Sequence, residues 1–328
     1  MMTSPARPRR LVCEVFDRAM RRARIHAHWH VARRVLTTPP IIPRDDGVIV
    51  LSMIGTRTLI PYLVAIKSFH HRLAMGRIVL IDDGSLTDND RRILTQHCGA
   101  PPIIPIAGID TGDCPRGGTW ERLLTLLDLR ADHYVVQLDS DTVTLGDIAE
   151  VRAAIADNRN FMLLGGPDSQ AVGIQRLPDF VKWKYPGGPV APPANMQALI
   201  ESRYAAYPEA DRHCYVRASS GFAGFARGGA SGRREATTFS RHAERLVGMA
   251  TWSKWGSEQV TSNFLLANEP DTRILPYSGY YNYWRTPVTG DERLVHFVGT
   301  HRYSDGVYRR MTARAIDRLK QPRQPRAD

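Results

Sequence analysis

Asp139 and Asp141 flank Ser140 at the carboxyl end of an apolar run, His133 to Leu138. In an extended chain alternate residues point the same way, so both carboxylates can reach one hard divalent cation through oxygen. The carboxyl end of a strand in an open α/β sheet is also where ligands bind. A cation there suits the neutralisation of a diphosphate leaving group. The same two aspartates would equally serve as a solvated strand end before a helix cap, so the pair alone does not choose.

The elements that must position this pair are legible as alternating patterns. Val48–Ile54 is a β-rich run and Leu59–Leu73 has helical spacing. Arg77–Ile81 is a second strand, ending at Asp82-Asp83-Gly84-Ser85. Thr87 or Asp88 can cap a helix to about Gln96, and Ile103–Ile106 is a short strand. Thr119–Leu129 is helical and leads into the strand before Asp139. Strands alternating with helices predict a mostly parallel sheet flanked by helices, with the motif-bearing loops sharing one crevice. Phe161–Leu164, Ala218–Ala226 and Leu294–Val298 read as further strands, and Gln259–Ala267 as a helix. Residues 165–216 are richer in Pro and Gly, with a helix near Asn195–Tyr204, and are long enough to be a functional insertion or lid. Arg227–Arg234 reads as a Gly/Arg loop.

The chain has 328 residues, 43% apolar and 23% charged, which is ordinary for a globular protein with a sizeable core. No stretch approaches the ~20 apolar residues of a spanning helix. The basic N-terminus lacks an apolar segment, which argues against a secretory signal. Cysteines at 13, 98, 114 and 214 form no close pair, which argues against a zinc site or a disulfide framework and fits a reduced, cytoplasmic protein. The first 40 residues hold nine arginines against Glu14 and Asp17, a net +7 of the chain's +11. Such an arm attracts anionic surfaces. Leu11, Val12, Val15, Phe16 and Met20 recur at helical spacing. An amphipathic helix lying on the inner membrane face, making the protein peripheral, and a helix packed on the protein body both fit. His26, His28 and His30 have no acidic or cysteine partner nearby, which argues against a metal there.

Arg122 to Val151, RLLTLLDLRADHYVVQLDSDTVTLGDIAEV, resembles the helix, strand and metal motif of GT-A nucleotide-sugar glycosyltransferases. It is most like glycosyltransferase family 8, the glycogenin and lipopolysaccharide galactosyltransferase type. Val79–Leu94 resembles the loop that holds the nucleoside, and SSGFAGF at Ser219–Phe225 resembles the family's Asn-Ser-Gly strand with Ser219 in place of Asn. Gly256–Asn268 resembles its Asp-Gln-x-x-x-Asn helix, with Glu258 for Asp. HFVGTHR, His296–Arg302, resembles its His-x-x-Gly-x-x-Lys, with Arg302 for Lys. The motifs stand in the family's order across residues 47–310.

The resemblance implies a GT-A fold, Rossmann-like and single-domain, and a hexosyltransferase-like enzyme. Asp139, Asp141 and His296 would hold Mn²⁺ or Mg²⁺, imidazole favouring Mn²⁺. Asp82, Asp83, Arg122, Ser219, Gly299 and Arg302 would bind the donor, with Arg302 gripping phosphate. Glu258 and Gln259 would face the sugar. Glu258 is the natural base if the reaction inverts, whereas Gln259 or a substrate hydroxyl would stabilise the developing cation if it retains, as the family does. The donor would be a UDP-sugar and the acceptor a glycan, a lipid-linked glycan or a protein; nucleic acid is not expected. Aromatic faces suit sugars, and Trp255 and Trp284 stand out. The expected layout is a basic arm (1–46), one GT-A-like domain (47–312) and a tail (313–328). A nucleotidyltransferase on a similar sheet and a non-enzymatic binder of anionic surfaces are the rival readings.

Overall fold

The computed structural model describes residues 7–321. Helix α1 (Arg7–Ala32) precedes strand β1 (Val48–Ile54), α2 (Leu59–Leu73), β2 (Arg77–Asp82), α3 (Asp88–Cys98) and β3 (Ile103–Pro105). Then come α4 (Trp120–Leu129), β4 (Tyr134–Leu138), β5 (Thr142–Thr144), α5 (Ala149–Ala156) and β6 (Phe161–Leu164). The insertion contributes α6 (Pro167–Val172), β7 (Gln175–Arg176), α7 (Leu177–Lys184), α8 (Met196–Glu201) and β8 (Cys214–Tyr215). The chain closes with β9 (Ala218–Phe225), α9 (Arg233–Val247), α10 (Met249–Trp252), α11 (Ser257–Ala267), β10 (Arg273–Ile274), β11 (Tyr280–Asn282), β12 (Leu294–His296) and α12 (Val307–Leu319).

Seven strands form the central sheet in the order β10-β6-β9-β4-β1-β2-β3. All pairings are parallel except the two that β9 makes, with β4 and with β6. The mostly parallel α/β expectation is therefore met. Alternation along β1 splits the core in two: Val48, Val50 and Ile54 face one hydrophobic layer, Ile49 and Leu51 the other. Burial on both faces is what makes such strands read as unbroken apolar runs. Helices α2, α5 and α12 cover the first face; α4, α7, α9 and α11 cover the second.

Local signals explain the element ends. Thr87 caps α3 by accepting from the Asp90 N–H (3.2 Å), while Asp90 accepts from the Thr87 N–H (2.9 Å), a reciprocal capping box. Gly99, left-handed at φ 72°, ends that helix.

Three elements go beyond the sequence reading. Helix α9 begins inside the expected Gly/Arg loop; Ala236, Phe239, Ser240 and Ala243 are its buried stripe at helical spacing. Helix α12 runs past residue 312, and its Ala315, Ile316 and Leu319 belong to the core. The insertion is packed, with Tyr215 edge-on to both Phe180 and Tyr204 in an aromatic cluster.

The second half of the basic arm lies against the body. His28, Ala32 and Val35 are buried, and the His28 ring stacks on Tyr308 of α12 at 3.9 Å. Met20 is exposed, whereas the side chains of Leu11, Val12, Val15 and Phe16 lie outside the described residues, as do residues 322–328 of the tail. Among the described residues no helix is long and apolar enough to cross a membrane.

Candidate functional site

A second, three-stranded sheet, β11-β12-β5, assembles the site. Strand β5 starts directly after Asp141 and pairs antiparallel with β12, setting His296 opposite Thr142. The Phe297 N–H donates to the Asp141 carbonyl (2.9 Å), and the Asp139 N–H to the Gly221 carbonyl of β9 (2.9 Å). Asp139 and Asp141 are thus fixed by strands that enter the chain much later.

His296 Nε2 lies 3.1 Å from Asp141 Oδ1 and 3.6 Å from Asp139 Oδ2. The three ligand atoms fall within 4.8 Å of one another. Neighbouring ligands on an octahedral ion with bonds of about 2.1 Å stand about 3 Å apart, so this set fits a hard divalent cation. The far side of the imidazole supports the same geometry. Asn282 gives its amide N–H to the Leu164 carbonyl (2.8 Å) and turns Oδ1 toward His296 Nδ1 at 2.8 Å. An Nδ1–H donated to Asn282 leaves Nε2 facing the carboxylates.

Gly221 makes room for that ring. A β-carbon there would stand 2.1 Å from His296 Cε1. Ser219, expected on the donor, has its hydroxyl 3.2 Å from His296 Nδ1 and accepts from the Gly221 N–H (3.2 Å).

The two aspartates are held by arginines. Two carboxylates about 4 Å apart repel by about 4 kcal/mol at an effective dielectric constant of 20, so buried cations must offset them. Arg122 Nη1 pairs with Asp139 and Arg302 Nη2 with Asp141; Arg302 Nε also donates to the Phe297 carbonyl (3.0 Å). Arg122 is buried, not a solvated helix-face arginine. Burial opposes the charge of Asp141, yet His296 and Arg302 win and hold its carboxyl below the usual range. Burial, and Arg302 to a lesser degree, likewise oppose an imidazolium, but Asp141 and Asp139 raise His296 above its ordinary value.

Glu258 is almost fully buried and accepts from Thr119 Oγ1 (2.8 Å), with Arg122 Nη2 at 3.5 Å. Burial outweighs that arginine and raises its carboxyl. Thr119 reaches it from a left-handed backbone (φ 75°), an expensive conformation for a β-branched residue. Gln259 Oε1 accepts from the Ser220 N–H (3.3 Å), and its Nε2 donates to Gln197 of the insertion (3.4 Å). Gly299 is left-handed at φ 43° with open space where a side chain would stand.

These side chains line one cavity of about 240 Å³, with exposed Trp255 at its mouth. Nine expected site residues meet there: Arg122, Asp139, Asp141, Ser219, Glu258, Gln259, His296, Gly299 and Arg302. Asp82 and Asp83 do not line it. Asp82 ends β2 and Asp83 follows it, two strands from β4 and so about 10 Å away across the sheet. Asp82 is spent locally, accepting from the N–H groups of Gly84 (2.8 Å) and Leu86 (3.2 Å) and pairing with Arg91. Asp83 is exposed, and its Oδ1 accepts from the Ser85 N–H (3.0 Å). Trp284, half exposed, donates its indole N–H to the Gly165 carbonyl (3.0 Å); Trp252, Tyr280 and Tyr281 are core.

Asn282, Thr119 and Gln197 escaped the sequence reading, whereas Gly221 was read within the strand motif Ser219–Phe225 without its role beside His296. Thr119 alone had a local signal, two glycines before a helix.

No protein-family model matches the chain, and no curated protein does. Solved structures do. Galactosyltransferase LgtC, in complex with donor and acceptor sugar analogues, is 11% identical over 81% of this chain and 95% of its own, with a TM-score of 0.48. Glycosyltransferase GlyE of Streptococcus pneumoniae is 12% identical over 82% and 59%, with a TM-score of 0.46. Mouse xyloside xylosyltransferase 1 is 11% identical over 76% and 96%, with a TM-score of 0.43. Likeness at this level carries no argument about chemistry, which the site itself must supply.

Proposed function

We propose that the protein is a metal-dependent GT-A glycosyltransferase that moves a sugar from a nucleoside diphosphate sugar, with uridine as the base, to a glycan, lipid-linked or protein acceptor. The observation that carries this reading is the convergence of Asp139, Asp141 and His296 beside Arg302. These three residues would hold Mn²⁺ or Mg²⁺, which supplies Lewis-acid neutralisation of a departing diphosphate. Arg302 pairs with Asp141 and is shaped for bidentate phosphate contact, so its guanidinium can pass from carboxylate to phosphate oxygens. Gly299 leaves backbone accessible beside it. Asp83, exposed at the next strand end but one, would meet the nucleoside, while Asp82 shapes its turn.

Glu258 is committed to Arg122 and Thr119, so its role is to hold the arginine that holds Asp139. That arrangement favours retention over a Glu258 general base, with Gln259 facing the developing positive charge.

Calorimetry with UDP, GDP, ADP and CMP, with and without Mn²⁺, tests the reading on wild type and Asp141→Ala. Metal-dependent binding of one diphosphate, lost in the variant, is expected. Absence of binding by every nucleotide would overturn it. Release of pyrophosphate instead of a nucleoside diphosphate on turnover would transfer the site to nucleotidyl chemistry.

A further inference from the structure

A second cavity, of about 310 Å³, lies between α1 and the start of α12, behind Arg302. Arg24, His28, Gly306, Tyr308, Arg309 and Arg310 line it. Arg24 and Arg309 are exposed and form no ion pair among the described residues. Asp305 also lines it, but its carboxylate is already engaged by Arg285 (3.1 Å) and by the Tyr283 hydroxyl (3.3 Å), and its carbonyl accepts from Arg310 Nη1 (2.8 Å). The excess of charge is therefore positive.

Two further features point the same way. Helix α12 is 13 residues long and follows Gly306 at its N-cap, which offers no side-chain cap, so its first N–H groups add partial positive charge. His28 and Tyr308 are each 1% exposed, and both His28 ring nitrogens and the Tyr308 hydroxyl are buried without a hydrogen-bond partner. Buried polar atoms are normally hydrogen-bonded, so three unpaired ones at the wall of an arginine-lined cleft point to an oxygen-rich guest. Burial, with Arg302 nearby, lowers His28 to about 4, so the ring is neutral and donates from one nitrogen.

We propose that this cleft binds a phosphate-bearing group, distinct from the donor diphosphate at Asp139 and Asp141. The phosphate oxygens face Arg24, Arg309 and Arg310, and the start of α12 takes part of the charge. Tyr308 sits close enough to both Asp141 and Arg302 to feel their charges, so a phosphate here shares a wall with the donor site. The phosphate could belong to a soluble phosphorylated sugar or to a lipid headgroup, and the two sources separate experimentally.

The test uses the full chain without metal. Inorganic phosphate and glucose 1-phosphate are titrated by calorimetry, and vesicles of phosphatidylcholine containing phosphatidic acid, or phosphatidylserine at equal charge, are tested by sedimentation. Saturable binding of the small phosphates, weakened about tenfold or more in Arg24→Ala/Arg309→Ala, supports the site with a soluble source. Binding only to the phosphatidic acid vesicles, lost in the same variant, supports it with a lipid source. His28→Phe keeps the stack on Tyr308 without the ring nitrogens and should weaken the same binding. Equal binding to both vesicle types, or small-phosphate affinity unchanged in the double variant, overturns the proposal. Metal-dependent nucleotide binding is unaffected by these substitutions, so failure here leaves the donor reading standing.

Discussion

His296 can present Nε2 to a cation only if Nδ1 carries the proton, and Asn282 is the residue that fixes this. Its amide cannot flip without losing the Leu164 and Gly165 carbonyls at 2.8 and 3.2 Å. Asn282→Ala should therefore weaken Mn²⁺ binding by about 10–100-fold, the usual effect of removing a partner behind a metal ligand. Asn282→Asp keeps an acceptor and should recover most of it. Free Mn²⁺ measured by electron paramagnetic resonance during titration reads both. Equal affinity in wild type and the alanine variant would mean that the β11–β12 backbone alone orients the ring.

At the scale of elements, the insertion reaches the site through one helix turn. Glu201 of α8 is fully buried and accepts from Tyr185 (2.7 Å), Tyr215 (2.9 Å) and Gln197 (2.8 Å), with Arg217 as its charge partner. Gln197 then accepts from Gln259. Glu201→Gln keeps the shape and removes the charge, leaving Arg217 unpaired in a largely buried setting. We expect a loss of about 3 kcal/mol in urea unfolding, together with weaker acceptor-dependent turnover as Gln259 loses its support. A loss below about 0.5 kcal/mol would show that water screens the pair.

For the whole molecule, the arm is joined to the body by a buried lysine. Lys67 is 2% exposed; its Nζ donates to the Thr38 carbonyl (3.1 Å) and meets His97 Nδ1 (3.1 Å). Burial lowers its pKa from 10.5 to about 8. The unfolded chain holds this proton up to 10.5 while the native protein releases it near 8, so within that window the unfolded state binds more protons. Stability from this group therefore rises with pH between the two values, and its burial cost is constant below them. Urea midpoints of wild type and Lys67→Met across pH 7–10 should shift in favour of wild type as pH rises. Parallel curves would show that Lys67 is neutral throughout or is reached by solvent.

Local pattern was enough for the strand–helix alternation, the parallel core of the sheet and the Asp139/Asp141 pair, because burial period, caps and acidic spacing are short-range properties. It also singled out Arg122, Glu258, His296 and Arg302 as residue types, on a resemblance of ordered motifs. It did not show that Arg122 is buried against Asp139, that Glu258 is committed to Arg122, or that Asp82 is consumed in its own turn. Helix α9 was legible in principle, since its buried stripe is periodic, but its arginine-rich start resembled a loop. Asn282 was not legible at all, and Gly221 was legible only as the glycine of a strand motif, not as the space for an imidazole. One matters because β11 sets it beside His296 in register, the other because the imidazole fills the space its missing side chain leaves. Strand register and ring packing join residues far apart in the chain, such as Asp139 and His296, 157 positions apart. Only the closed fold decides such contacts, because they depend on distances that no segment contains.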